Sequence, residues 1–216
     1  MARQKKGVFV VESKSPFVSI IGVDFEYGTG SSVAQVQKNI EQLHKSFNQR
    51  FPAKKVFEVS AKSSTDTGKK LNASNLMKFV PSYGKSFPVE NIFHASKTYA
   101  YVGPFSDIYE MTPSSARSDK RLKDKSNGPI KSYTFDGNTY PAEPQTVFYN
   151  WLYINALLEN KEEAEKLLEY DAFTDITLTS GTPNSPARAC ALYVGLMRSG
   201  MIDVVKDFDT FYKLMK

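Results

Sequence analysis

Glu90 and Lys97 are the two residues whose types and spacing come nearest to a reaction centre. They lie in "FPVENIFHASKTYAYVGP", residues 87–104, which reads as a short helix. A separation of seven residues is close to two helical turns, so the carboxylate and the amine share a face, with Phe93 and His94 between them. A rise of about 1.5 Å per residue sets their backbones about 10 Å apart, and their side chains can converge on one small ligand lying across Phe93. A glutamate beside an apolar group can hold a raised pKa and serve as acid or base. A desolvated lysine can attack a carbonyl-like carbon. Periodicity alone favours a plainer reading. A carboxylate in the first turn of a helix complements the helix dipole, and an imidazole placed like that of His94 packs or faces solvent.

A second candidate is the loop "TSGTPNSPARA", residues 179–189. Its Ser, Thr and Asn donors run into a helix N-terminus that carries Arg188. Free backbone N–H groups, the dipole and a guanidinium together suit a phosphate, although an ordinary capped helix explains the same spacing. Cys190, among Ala189, Ala191 and Leu192, reads as buried packing rather than a nucleophile. As the single cysteine it forms no intrachain disulfide, and with only His44 and His94 beside it no structural zinc site is expected. There is no P-loop, dinucleotide glycine fingerprint or HExxH. "GTGSS", residues 28–32, is a turn feeding a helix cap. No metal or cofactor is expected.

These residues need a frame. Strands are expected at 8–12 and 17–27. Ser31 or Ser32 caps a helix reaching about Phe47, with Val33, Val36, Ile40, Leu43 and Phe47 on one face and Lys38 on the other. Residues 55–63 alternate like a strand, and a polar loop leads towards the Glu90 helix. Thr112 and Pro113 start a helix over "TPSSARSDKRLKDK", whose Lys and Arg form a solvated face. "YTFDGNTYPA" is a hairpin turning at Asp136-Gly137. "TVFYNWLYINALL", from Thr146, is apolar nearly all round and reads as a central buried helix. A Glu- and Lys-rich helix to about Tyr170 follows, then an extended segment at "AFTDITL". A helix capped by Ser185, opened by Pro186 and ended by Gly200 comes next, then an amphipathic helix to Lys216. The order predicts an α+β fold, predominantly helical, with small antiparallel β elements. Without repeats or linkers, residues 1–216 read as a single domain, with an N-terminal strand extension (1–24) and a C-terminal helix (200–216).

Hydrophobic content of 41% and aromatic content of 13% argue against disorder, and 15 Phe and 12 Tyr supply flat surfaces for a core or a base site. A formal net charge of +5 favours anionic partners such as nucleic acid or nucleotide phosphates. The opening "MARQKKGVFVVESKS" is basic without a long apolar core, so it is not read as a signal peptide. No apolar run approaches a membrane span. A cytoplasmic protein without a membrane partner is expected.

Read in series, these segments resemble a known family. "VENIFHASKTYAYVGPFSDIY" looks like the NADAR signature of a Glu, an aromatic and a small-residue pair ending in Lys. The chain is similar to the branch of antitoxins found beside DNA ADP-ribosyltransferase toxins of the DarT type. The likeness runs from about Phe25 to Met197 through "QVQKNIEQLH", "EVSAKS", "GKKLNASNLM", "GPFSDIYEMTPSSARSDKRLK", "PAEPQTVFYNWLYINAL", "FTDITL" and "NSPARA". Three places depart from the pattern. Ser74 stands where a Phe is usual, His94 where a Gln is usual, and "TSGTPNSP" replaces an "NP" loop.

The resemblance implies a NADAR/YbiA-like domain that hydrolyses an N-glycosidic bond and, in this branch, removes ADP-ribose from guanine bases in DNA. The implied partners are ADP-ribosylated DNA and a DNA ADP-ribosyltransferase toxin, with no metal. On that footing Glu90 supplies acid–base catalysis and Lys97 attacks the anomeric carbon, or the ring-opened aldehyde as a Schiff base. Asp175 binds ribose hydroxyls or activates water. Asn75 binds a ribose hydroxyl, and Asn184, Ser185 and Arg188 hold the diphosphate. Phe93 and Trp151 offer walls for a base, Trp151 with the competing place of a core residue. Lys38 and Lys62 match family lysines, either of which is an alternative catalytic amine. The competing readings are a non-catalytic module that binds ADP-ribose or the toxin, and a small-molecule N-glycosidase of the riboflavin-intermediate type.

Overall fold

The computed structural model describes residues 2–178 and 182–216. β1 (Ala2–Val11) and β2 (Val18–Tyr27) pair antiparallel along their whole length, from Ala2 opposite Tyr27 to Val11 opposite Val18. Alternation along both strands buries Val8, Val10, Val23 and Phe25, and α1 (Val33–Arg50) adds Ile40, Leu43 and Phe47 to that cluster. The Ser32 hydroxyl accepts the Gln35 N–H at 3.2 Å, so the expected cap is present. The helical stripe starts to bury only at Val36, and Val33 is 50% exposed.

β3 (Val56–Glu58) is shorter than the strand expected over 55–63. After Val59 the backbone turns, with the Ser63 N–H reaching the Ser60 carbonyl and the Lys62 N–H reaching the Ser60 hydroxyl. α2 (Asp66–Lys70) forms inside the expected polar loop. Thr65 caps it, Asp66 lies in its first turn and Lys69 and Lys70 in its last, so its charges complement the dipole.

Residues 77–88 form an unexpected hairpin of β4 (Met77–Val80) and β5 (Lys85–Pro88). α3 (Val89–Ala95) and β6 (Lys97–Tyr99) follow, then a 3-10 turn at Ser106–Glu110. α4 (Pro113–Ser118) has its expected Thr112 cap but stops early. Asp119 leaves helical geometry at ψ 125 and caps a separate 3-10 turn, so "TPSSARSDKRLKDK" is not one helix. β7 (Ile130–Phe135) and β8 (Asn138–Pro141) turn at Asp136 and Gly137, whose φ values of 49° and 77° are those an Asp-Gly hairpin turn needs. β6 joins β7 to make a three-stranded sheet. α5 (Val147–Glu159) is buried nearly all round, as its composition predicts.

α6 (Lys161–Glu165), β9 (Ala172–Thr174), α7 (Pro186–Arg198) and α8 (Phe208–Met215) complete the chain. β9 enters the first sheet, whose order is β2-β1-β9-β3. It runs antiparallel to β1 but parallel to β3, which corrects the expectation of antiparallel pairing throughout. Parallel neighbours need a long connection, and here over a hundred residues separate them in the chain. Nine strands among the described residues make this a mixed α+β fold, so "predominantly helical" overstates the helices.

The chain packs as two compact units, one of residues 1–72 with 161–216 and one of residues 73–160. Among the described residues no helix is long and apolar enough to cross a membrane.

Candidate active site

In the unit of residues 73–160, α3 is pinned at both ends. Its first N–H groups have no partner within the helix, and those of Val89 and Glu90 reach the carbonyls of Leu76 and Ala73 at 2.9 Å each. The "ASNL" turn, with exposed Asn75 in it, therefore abuts the start of the helix. Asn91 is fully buried and donates to the carbonyls of Ile108, Tyr109 and Met111, tying the 3-10 turn beneath α3. At the far end the Ser96 hydroxyl folds back on the Phe93 carbonyl at 3.0 Å, and the helix stops at Ala95.

Lys97 is therefore not on the helix, contrary to expectation. It opens β6 opposite Tyr133, and strand pairing fixes its backbone. The two residues are nonetheless joined through a third. Glu90 Oε1 lies 3.0 Å from His94 Nε2, and His94 Nδ1 lies 3.0 Å from Lys97 Nζ. A carboxylate only accepts and an ammonium only donates, so the imidazole is neutral with its proton on Nε2. Burial holds the His94 pKa below its ordinary value, with the Lys97 charge assisting and the Glu90 bond opposing. Burial likewise pushes the Lys97 amine down to about 8 against the opposing Glu90 charge.

Glu90 behaves otherwise than a carboxyl beside an aromatic was expected to. Burial alone would raise its pKa, but the His94 bond together with the charge and hydrogen bond of Arg117 outweighs it, and the net shift is downward. Glu90 rests as an anion, suited to take a proton. Arg117 is exposed, as expected of a solvated face, and from there its Nε donates to Glu90 Oε1 at 3.1 Å and its NH2 group to the Ser74 hydroxyl at 2.9 Å. Phe93 lies beneath, with Tyr133 stacked at 5.5 Å, Tyr149 edge-on at 5.0 Å and the Lys97 amine 4.7 Å from its ring centre. Its surroundings are thus side chains of the chain itself. Trp151 is half-buried among Phe135, Tyr140 and Phe148.

The remaining candidates lie in the other unit. Lys38 is exposed on α1 and Lys62 half-buried after β3. Asp175 is buried, and its Oδ1 accepts from the N–H and hydroxyl of Thr177 at 2.9 and 2.6 Å. Burial raises its pKa against those bonds and the charge of Lys6. At the start of α7, Ser185 holds the cap position but makes no capping bond. Its hydroxyl, Asn184 Oδ1 and Arg188 Nε are buried without a hydrogen-bond partner among the described residues. Thr179, Ser180 and Gly181 of this loop lie outside the described residues.

The DarT1-associated NADAR antitoxin family matches residues 4–216 of the chain. The chain belongs to that family. No curated protein matches it.

In this NADAR chain, sequence reasoning passed over Arg117, His94 as a link, and a polar cluster around Glu58. Fully buried Glu58 accepts the Ile176 N–H at 2.9 Å and lies 2.5 Å from the Thr174 hydroxyl, itself 2.8 Å from His44 Nε2. His44 and Glu58 help line a cavity of about 170 Å³. The only signal was a Glu in an otherwise inward-facing strand position of "KVFEVS". Burial, then the nearby Asp175 charge, raise Glu58 to about 7. Below its ordinary 4.5 the group is protonated both folded and unfolded, so it makes no difference. Between 4.5 and about 7 the unfolded chain releases a proton that the folded state keeps, so stability falls across that range and is lower by roughly 3 kcal/mol above pH 7. Glu58→Gln should therefore gain stability over wild type at pH 8 relative to pH 5, by several degrees in thermal denaturation. Equal differences at both pH values would contradict a neutral Glu58.

Proposed function

We propose that this NADAR antitoxin is a hydrolase that removes ADP-ribose from guanine bases in DNA, opposing a DNA ADP-ribosyltransferase toxin. The observation that carries the reading is the Glu90–His94–Lys97 line. It joins a buried anionic carboxylate to a buried amine of lowered pKa through one neutral imidazole.

Cleaving a ribose–amine bond needs a nucleophile at the anomeric carbon and a proton for the departing guanine nitrogen. The line can provide both with one proton. The Lys97 ammonium gives a proton to His94 Nδ1 while His94 passes its Nε2 proton to Glu90. The freed amine bonds to the anomeric carbon as the carbon–nitrogen bond to guanine breaks. The electrons of that bond stay on the guanine nitrogen, which takes the proton from Glu90. Water then bonds to the anomeric carbon and gives its proton to Glu90 as the carbon–lysine bond breaks, its electrons returning to the amine, and ADP-ribose leaves. Arg117 steers the Glu90 carboxylate, and Asn75 lies in the turn at the helix start, within the same unit, in reach of a sugar hydroxyl role. Lys97 is preferred to Lys38 and Lys62 because only it is bonded to an acid–base partner in the described contacts. In the other unit, the Ser185 hydroxyl and Arg188 Nε have no hydrogen-bond partner among the described residues, and donors of that kind suit a phosphate.

The test is release of ADP-ribose from an oligonucleotide modified on guanine, without added metal, alongside calorimetric titration with ADP-ribose. Release is expected. Tight binding of ADP-ribose with no release would replace the hydrolase by a binding module. Preference for a ribosylated small molecule over modified DNA would favour the small-molecule N-glycosidase.

A further inference from the structure

The Arg117 side chain is 59% exposed, while that of Glu90, which it binds, is 15% exposed. An arginine so open to water keeps many rotamers, and a lone ion pair at such exposure holds weakly. Here the guanidinium is held at two points. Nε and Nη2 carry parallel N–H groups on one edge of the rigid fork, and that edge spans two acceptors. Nε donates to Glu90 Oε1 at 3.1 Å, and Nη2 donates to the Ser74 hydroxyl at 2.9 Å. His94 Nε2 lies 3.0 Å from the same Glu90 oxygen, and Oε2 has no hydrogen-bond partner among the described residues. Which oxygen faces the imidazole is therefore set from outside α3, by Arg117.

Both ends of this hold rest on backbone tied to α3. Ser74 lies in the turn whose Ala73 and Leu76 carbonyls take the N–H groups of Glu90 and Val89. Arg117 stands in the last turn of α4, beside fully buried Ala116, and the start of α4 is tied to α3 by the bond from Asn91 to the Met111 carbonyl. The Glu90 backbone, the 73–76 turn, Arg117 and the Glu90 carboxylate thus close a ring of contacts around one side chain. The charged groups that face Glu90 are His94 on its own helix, Arg117 on α4 and, through His94, Lys97 on β6. On the other elements packed against α3, Asp107 is paired with Arg121 and Glu110 with Lys85, while Tyr109 and Tyr149 pack on Phe87 and Phe93.

We propose that Ser74 is a positioning residue of the reaction, which through Arg117 sets Glu90 Oε1 against His94 Nε2. The proposal rests on the hydrolase reading, and it adds a residue that acts without touching the reacting atoms. Its consequence has a definite sign. Arg117 helps to hold Glu90 below the ordinary carboxylate range, so loosening Arg117 raises the pH at which Glu90 takes up a proton. Glu90 must be an anion to receive the proton from His94, so the acid limb of the rate profile moves upward with it.

A carbon-13 NMR titration of the Glu90 carboxyl, assigned by its loss in Glu90→Gln, tests this alongside turnover of guanine-modified oligonucleotide against pH. In Ser74→Ala the Glu90 midpoint and the acid limb of kcat/KM should both move to higher pH, and kcat should fall about 2- to 12-fold, the value of one hydrogen bond. Ser74→Thr keeps the hydroxyl and should keep both midpoints. Arg117→Gln should move them further, and Ser74→Ala added to it should change nothing more, because Ser74 acts only through Arg117. An unmoved Glu90 midpoint in Ser74→Ala would overturn the proposal, and so would effects of the two substitutions that multiply. Lower thermal stability with the midpoint and the kcat per folded molecule unchanged would also overturn it, leaving Ser74 as a part of the turn alone. The hydrolase reading fails separately. Wild type that never releases ADP-ribose, while Ser74→Ala still moves the Glu90 midpoint, would sink the activity and leave the hold of Ser74 on Arg117 standing.

Discussion

Glu90→Gln protein should fold as wild type and release ADP-ribose from guanine-modified DNA 100-fold to 10,000-fold more slowly, with KM altered little. The substitution is narrow. A glutamine amide oxygen can still accept the His94 Nε2 proton in a hydrogen bond, so the imidazole stays oriented and the 3.0 Å contact survives. What is lost is the ability to take that proton and deliver it to the leaving nitrogen. The effect should therefore appear in kcat. A structural role would give a different pattern. If Glu90 only fixed α3 through its place in the first turn, Gln would lower stability and leave kcat per folded molecule near wild type. The resting charge makes the test sharper. Glu90 sits below its ordinary carboxylate range because His94 and Arg117 outweigh its burial, so the anion is the form that Gln removes. Normal turnover by a folded Glu90→Gln protein would remove Glu90 from the mechanism.

Much of the frame around this residue could be read from local pattern. The cap at Ser32, the stripe of Ile40, Leu43 and Phe47, the Asp-Gly turn and the apolar α5 each depend on residues near one another in sequence. Most of what escaped depends on distant partners. "HASKTYAY" continues a helical pattern acceptably, and it leaves the helix because Ser96 turns back on Phe93 and Lys97 pairs with Tyr133, far along the chain. The parallel β9–β3 pair has the same origin, whereas the β4–β5 hairpin is local and escaped because four-residue strands carry little pattern. In the candidate site the sequence pointed at Glu90 and Lys97 but supposed that they met across a ligand. His94 joins them instead, and it was passed over because a histidine on a helix face is ordinarily only packed or solvated. Arg117 was unreadable for another reason. Nothing in a run of Lys and Arg marks the one that finds a partner, and here the Glu90 carboxylate and the Ser74 hydroxyl single it out.

Lys97→Ala should abolish release to the limit of detection. The pH profile of the wild-type enzyme should show how the amine works. Lys97 titrates at about 8 and Glu90 below its ordinary range, so between them the line holds one transferable proton beyond that on the imidazole. The resting pair of ammonium and carboxylate interconverts with the reactive pair of amine and carboxylic acid by moving protons along His94, and no proton is exchanged with water. The reactive fraction is then independent of pH inside that window. Below it Glu90 is already protonated and cannot accept the lysine proton. Above about 8 the transferable proton is gone, and the departing guanine nitrogen has no donor. The profile of kcat/KM should be a bell that falls on its alkaline side from about pH 8. A lysine acting as a simple free amine behaves oppositely, with the rate rising through pH 8 to a plateau. Borohydride supplies the second readout. Ring-opening of the lysine–ribose adduct gives an imine that reduction traps, so a stable protein–ADP-ribose conjugate should form in wild type, in Lys38→Ala and in Lys62→Ala but not in Lys97→Ala. A conjugate that survives Lys97→Ala would transfer the nucleophile to another lysine. Absence of any conjugate, together with a plateau at high pH, would leave water as the attacking group and Lys97 as the residue that holds His94 in line.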